Sequence, residues 1–137
     1  MRAPGPLNNM TQLVFCRDNV DPDLVTNRLG LKPSETLKLG EHAKTGVRAG
    51  SSSAAGLWKL DLPEAGEDLT VEEQLAKWVE LLQPRSAALK RLRQEGYAPY
   101  LDCRAERGSL SLCISPCLLT SLGELNVSLS IWLYEQQ

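Results

Sequence analysis

Any histidine-based catalysis in this chain must use His42, because it is the only imidazole in the sequence. Glu41 and Lys44 stand beside it and could form a charged site with it. These residues belong to the segment Gly40–Gly56, which is rich in Gly, Ala and Ser and lacks apolar periodicity. Catalytic geometry needs rigid support, which such a segment does not supply. We therefore interpret His42 as a solvated loop residue and keep His42 and Lys44 only as candidate binding residues.

Other signatures of catalysis are missing from the sequence. No serine stands in a Gly-x-Ser-x-Gly elbow, and no glycine-rich loop precedes a Lys-Ser or Lys-Thr pair. Neighbouring carboxylates such as Glu72 and Glu73 fall at a predicted helix N-terminus, where the helix dipole favours negative charge. We therefore expect no catalytic residues.

The cysteine pattern does not indicate a metal site. A structural zinc site usually takes four Cys or His ligands in two tight pairs, and His42 is remote from every cysteine. No Cys-x-x-Cys pair occurs among the four cysteines, which are Cys16, Cys103, Cys113 and Cys117. We expect free thiols, no bound metal, no cofactor and no disulfide between Cys113 and Cys117.

Arg48 and Trp58 form a candidate contact pair, since Arg and Trp are the side chains most often found at binding hot spots. Three lysines, Lys32, Lys38 and Lys44, surround the same predicted hairpin, and an anion or an acidic protein could bind there. Surface charge is also the default for a solvated hairpin, and a lone tryptophan is more typical of a core. The residues alone leave both interpretations open.

The segment Val127–Tyr134 alternates with the period of a β-strand. The apolar row that should face the helices is Val127, Leu129, Ile131 and Leu133. The row on the other face is Ser128, Ser130, Trp132 and Tyr134. Two large rings on that face predict contact with a partner or ligand. Burial by a curled sheet or by a homodimer is the alternative.

The composition narrows the class of protein. The chain has 137 residues, of which 42% are hydrophobic and 23% charged, and a net charge of -2. This length suits one domain, predicted over residues 11–137 after a loose lead-in over residues 1–10. The charge balance argues against nucleic-acid binding, and no apolar run is long enough to span a membrane. The first residues lack the apolar region of a secretory signal, so we expect a cytoplasmic protein.

Caps and apolar periodicity predict four helices, Asp21–Gly30, Thr70–Leu82, Ser86–Glu95 and Ser115–Leu122. Alternating segments between them predict strands, including one that ends at Ile114 after a turn at Gly108. The predicted order is β-α-β-β-α-α-β-β-α-β. It indicates an α+β two-layer sandwich with a largely antiparallel sheet and with the helices mainly on one face.

Short structural motifs are distributed over nearly the whole chain from Gln12 onward. They are Asp21-Pro22, Leu29-Gly30-Leu31-Lys32-Pro33-Ser34, the solitary Trp58, Leu82-Gln83-Pro84, and Leu122-Gly123-Glu124-Leu125 before a strand ending in Tyr134. Together they resemble an uncharacterised bacterial family known only as a domain of unknown function. The resemblance implies a small cytoplasmic α+β protein and brings no catalytic residues. Domains of this kind are similar in size to immunity proteins, which neutralise a partner toxin.

The sequence favours a non-catalytic interaction module that binds a partner protein, with an immunity-like protein as one form of it. A small-ligand-binding or regulatory domain with a cleft near Arg48 and Trp58 is the alternative, and an enzyme is third. A pocket with two or more buried ionisable groups would favour an enzyme. The candidate binding residues are Arg48, Trp58, Trp132, Tyr134, His42 and Lys44.

Overall fold

A five-stranded sheet forms one layer of the fold. The computed structural model describes residues 10–38, 56–63, 69–106 and 113–134. The strands are β1 (Met10–Arg17), β2 (Glu35–Leu37), β3 (Gly56–Asp61), β4 (Pro99–Glu106) and β5 (Ser128–Tyr134). They lie in the order β2-β3-β1-β4-β5, and all neighbours are antiparallel except β4 and β5, which run parallel.

The helices form the second layer. They are α1 (Pro22–Leu29), α2 (Val71–Leu82), α3 (Ser86–Gln94) and α4 (Pro116–Glu124), and the 3-10 turn Gln83–Arg85 joins α2 to α3. The chain therefore has the predicted α+β fold, and the helix boundaries agree with the predicted ones within the usual uncertainty of helix ends.

Side-chain caps explain where three of the helices begin. The Asp21 carboxylate accepts a hydrogen bond from the Leu24 N–H at 3.2 Å. Thr70 and Glu73 form a reciprocal capping box at the start of α2, as their spacing predicts. Proline is also favourable at the first position of α1 and α4, because a backbone N–H at that position has no acceptor within the helix, and proline has none to leave unpaired.

At two helix ends, the residue that caps or terminates the helix differs from the one that the sequence suggests. Ser86 does not cap α3 but is its first residue, because the 3-10 turn carries the backbone from α2 into α3 without an extended cap residue. Gly123 lies inside α4, which ends at Glu124. The left-handed position that terminates this helix is taken by Asn126, with φ 56°.

The core lies between the helices and one face of the sheet. Leu13 and Phe15 of β1 and Trp58 of β3 are fully buried, and Phe15 and Trp58 meet edge to face with their centroids 5.5 Å apart. The buried polar groups of this face are paired across the layers. Thr11 of β1 receives a hydrogen bond from Trp78 Nε1 at 2.8 Å and donates one to Gln74 Oε1 at 2.7 Å.

Three predicted segments fall largely outside the described residues. Most of Gly40–Gly56 is among them, although Gly56 itself opens β3. Most of the additional strand ending at Ile114 is among them too, and Cys113 and Ile114, which are described, are not in a strand. The same is true of the lead-in over residues 1–10, where only Met10 is described and already belongs to β1.

Candidate functional site

Helix α4 is fixed at its N-terminus by a contact with α2. The Ser115 hydroxyl accepts a hydrogen bond from the Leu118 N–H at 3.3 Å, which caps the helix. The Ser115 N–H donates to Glu72 Oε2 at 2.8 Å, and Glu72 lies in the first turn of α2. Because the acceptor is a carboxylate, this is a charge-assisted hydrogen bond. Glu72 therefore positions α4 and the chain that follows it.

A tight turn leads from α4 into β5. The Val127 N–H donates to the Leu122 carbonyl at 3.1 Å, and the Asn126 N–H donates to the Gly123 carbonyl at 3.0 Å. Strand β5 then runs parallel to β4, with Leu129 opposite Leu101 and Ile131 opposite Cys103. Within the described residues, β5 pairs with β4 and with no other strand. Strand β5 and its side facing away from β4 are called the β5 edge below.

Burial decreases along the β5 edge. Val127, just before the strand, is 6% exposed, and Leu129 is partly buried against the core. Ile131 is 41% exposed, so the helix layer no longer covers the apolar row at this point. Trp132 is 46% exposed on the opposite face of the strand. Leu119 of α4, at 50%, is the third exposed large hydrophobic residue in the described part of the chain, and all three belong to α4 and β5.

The same region is depleted in charge. Residues 113–134 contain one charged side chain, Glu124, whereas 23% of the whole chain is charged. Among the described strands, only β5 has no charged residue. Edge strands of isolated domains usually carry charges or proline, or are very short, which prevents pairing with other chains. Interface cores, in contrast, are depleted in charge and enriched in large apolar and aromatic residues.

The sheet face opposite the helices is polar, yet its central side chains are shielded from solvent. Gln12 is 2% exposed, and its Nε2 donates to Asp61 Oδ1 at 2.6 Å. Lys59 Nζ lies 3.2 Å from Glu35 Oε1, and both side chains are 7% exposed. Three residues of β4 on this face also have interaction partners, namely Tyr100, Asp102 and Arg104. The Lys59–Glu35 ion pair is therefore satisfied within the fold, and such internal pairing is typical of a structural role.

The structure places the predicted site residues in different settings. Trp58 is fully buried, and its Nε1 donates to Thr26 Oγ1 at 3.1 Å. It packs in the core, the setting that the sequence analysis gave as typical of a lone tryptophan, and its role in binding stays a prediction. Trp132 lies opposite Arg104 and is exposed. Tyr134 is the last residue of β5. The other three candidates, His42, Lys44 and Arg48, lie outside the described residues.

The sequence interpretation missed the exposure of Ile131 and Leu119. Ile131 was assigned to the apolar row that faces the helices, because periodicity identifies a face but not how far the opposite layer extends. The charge depletion over residues 113–134 is the sequence signal that could have identified this region as an interaction surface.

The cysteines are free thiols, and Cys103 is the buried one. Burial raises the pKa of the Cys103 thiol to about 12, and the nearby Asp102 charge acts in the same direction. Its register partner is Ile131 of β5, so β5 lies beside this thiol. No group of three or more His, Cys, Asp or Glu side chains that could hold a metal ion occurs among the described residues.

The fold and the edge define a two-layer α+β domain with one uncharged, apolar sheet edge. Residues 8–136 match the family described as Domain of unknown function (DUF4279), so the chain belongs to this family. No curated protein and no solved structure matches the chain. None of the helices in the described ranges is long and apolar enough to cross a membrane.

Proposed function

We propose that this chain is a protein-interaction module and that it contacts its partner through the β5 edge. The observation that carries the proposal is the combination of exposed Ile131 and Trp132 with a strand that has no charged residue. Tryptophan is among the commonest hot-spot residues of protein interfaces. Each of these side chains is less than half exposed, so burying the rest of it against a partner would recover about 1 kcal/mol.

Strand addition is the binding mode that this edge suits best. An edge strand presents a row of N–H and C=O groups that another extended segment can pair with. Main-chain hydrogen bonds would then supply affinity, and pockets for Ile131 and Trp132 on the partner would supply specificity. If the partner is a toxin, the chain has the narrower immunity-like role.

A small-ligand function draws less support from the structure. On the sheet face opposite the helices, Lys59 forms an ion pair with Glu35, and Asp61 accepts a hydrogen bond from Gln12. A surface depression of about 380 Å³ beside α2 is shallow, and its lining includes Lys77 and Glu80 at the helix surface. Binding pockets usually enclose most of a ligand, which this depression does not do.

Site-specific photocrosslinking tests the proposal directly. We would replace Trp132 in the full chain by p-benzoylphenylalanine, which keeps an aromatic side chain, and irradiate cells of the native host. The matched control carries the same residue in place of Lys90, which is exposed on α3. Position 132 should give a discrete covalent adduct of higher mass, and position 90 should not.

The mass of the adduct identifies the partner. An adduct at twice the chain mass of 15.1 kDa means a second copy, and any other discrete mass means a different protein. Either result supports the proposal. Absence of an adduct at position 132, or equal adducts at both positions, would contradict it.

A further inference from the structure

We infer that the occupant of the β5 edge is the β5 edge of a second copy of this chain. The two strands would pair antiparallel about a twofold axis at Ile131 and join two five-stranded sheets into one continuous sheet. This inference rests on the proposed function and names the partner of the same edge. A symmetric pair of this kind is isologous, so the surface must be complementary to itself.

The charge pattern meets that requirement. In a symmetric antiparallel pair, the two copies of the central residue face each other. A residue one position before the centre faces the residue one position after the centre in the other copy, and so on along the strand. A charged residue near the centre would therefore face a like charge or lie close to one, which is unfavourable. Strand β5 has no charged residue from Ser128 to Tyr134, whereas every other described strand has at least one. A different partner protein would impose no such restriction.

The side chains that would face each other across the two copies of β5 are also complementary in size. With the axis at Ile131, Ser130 of one copy faces Trp132 of the other, and this pairing occurs twice by symmetry. A small residue opposite a large one gives the Trp132 ring room to lie across the neighbouring strand. The exposed Ile131 side chain would meet its own copy on the other face, which buries apolar surface on both sides of the joint. With the axis at Trp132, the two Trp132 rings would face each other. With the axis at Ser130, Trp132 would face Ser128, but the exposed Ile131 would face Leu129 and not its own copy.

The oligomeric state gives the first test. Sedimentation of the full chain should yield a dimer of twice 15.1 kDa at high concentration. Ile131→Lys places two like charges at the axis and should raise the dimer dissociation constant by at least about 100-fold. The matched control is Ala87→Lys, which introduces the same charge at an exposed residue of α3, outside residues 113–134, and should leave the dimer intact. A dimer that survives Ile131→Lys would overturn the inference.

A disulfide scan tests the register independently of any loss of folding. The background carries Ser at the exposed cysteines 16, 113 and 117 and Ala at the buried Cys103, because Cys103 is the register partner of Ile131 and could form a disulfide within one chain. Opposed Cα atoms in an antiparallel pair lie about 4.5–5.5 Å apart, so Ile131→Cys should form an intermolecular disulfide under mild oxidation. Ser128→Cys, whose two copies would lie about 20 Å apart in this register, should not. Equal crosslinking of both variants, or none at position 131, would contradict the register.

These results separate the two proposals. A monomeric wild type together with a photocrosslink at position 132 of a mass other than twice the chain would overturn the homodimer and leave the interaction module supported. A monomer with no adduct at position 132 would overturn both.

Discussion

Within the part of the chain that the structure describes, the sheet ends in β2 on one side and in β5 on the other. Of these two strands, only β2 has the features that discourage pairing with another chain. β2 has three residues, Pro33 precedes it, and its Glu35 forms an ion pair with Lys59. β5 has seven residues, no charge, and exposed Ile131 and Trp132. Natural edges are usually protected as β2 is. The difference indicates that the fold closes one edge and leaves the other available for pairing.

The largest effect on stability is expected at the Glu35–Lys59 ion pair beside the β2 edge. Lys59→Met should lower the free energy of unfolding by about 3–5 kcal/mol, because it leaves the Glu35 carboxylate buried without its cation. Urea denaturation measures the change. Lys90→Met, at an exposed lysine of α3, should shift stability by less than about 0.5 kcal/mol. An equal, small effect of both substitutions would show that the ion pair does not stabilise this edge.

The second prediction concerns how firmly β5 stays docked on β4. Cys103 faces the helix layer beside Ile131, and burial raises its pKa to about 12, so little reactive thiolate forms below that pH. A thiol reagent at mildly alkaline pH should modify Cys103 at least about 100-fold more slowly than the exposed cysteines, because reaction requires local opening. Mass spectrometry of a labelling time course measures this, with the urea-unfolded chain as the control. Equal rates for all four thiols in the folded chain would mean that β5 detaches readily.

The third prediction concerns the positioning of the α4–β5 region. Glu72→Ala removes the acceptor of the Ser115 N–H and should cost about 1.5–3 kcal/mol, the usual range for a hydrogen bond to a charged group. Thermal or urea denaturation gives the value. Glu72→Gln keeps an acceptor oxygen and should recover much of the loss, and Glu80→Ala, at an exposed carboxylate of the same helix, should be nearly neutral. A Glu80→Ala effect as large as that of Glu72→Ala would contradict the positioning role.

The smallest effect on stability is expected at the β5 edge itself. Ile131→Ser at low protein concentration should lower the free energy of unfolding of the monomer by about 1 kcal/mol, because the side chain is 41% exposed and only its covered part loses contacts. Its effect should instead appear in association, which sedimentation measures on the same sample. A loss of several kcal/mol in the isolated monomer would show that Ile131 belongs to the core and that the edge is closed.

The contrast between these edges also shows what the sequence could predict. The helix starts at Asp21, Thr70 and Ser115 were predicted correctly, because a cap is a local interaction between residues three apart. The core-facing positions Val127 and Leu129 at the start of the last strand followed from alternation in the same way. The burial of Trp58 and the exposure of Ile131 depend instead on which helices lie over each strand, which no local pattern encodes.

The parallel pairing of β5 with β4 illustrates the same limit. The chain connects these strands through residues 107–127, which include α4, and this connection allows β5 to run in the same direction as β4. Alternation in β5 identifies its two faces but does not specify its neighbour or its direction. Its uncharged composition was visible in the sequence, but its meaning depends on β5 being an edge strand.

Hydrogen–deuterium exchange at two protein concentrations tests the central claim most directly, because it compares both edges in one sample. Peptides that cover Ser128–Tyr134 should exchange more slowly at high than at low micromolar concentration, since pairing of the β5 edge protects its amides. Peptides that cover Glu35–Leu37 should show the same exchange at both concentrations. Exchange of the β5 peptides that does not depend on concentration, or equal protection of both edges, would contradict the account.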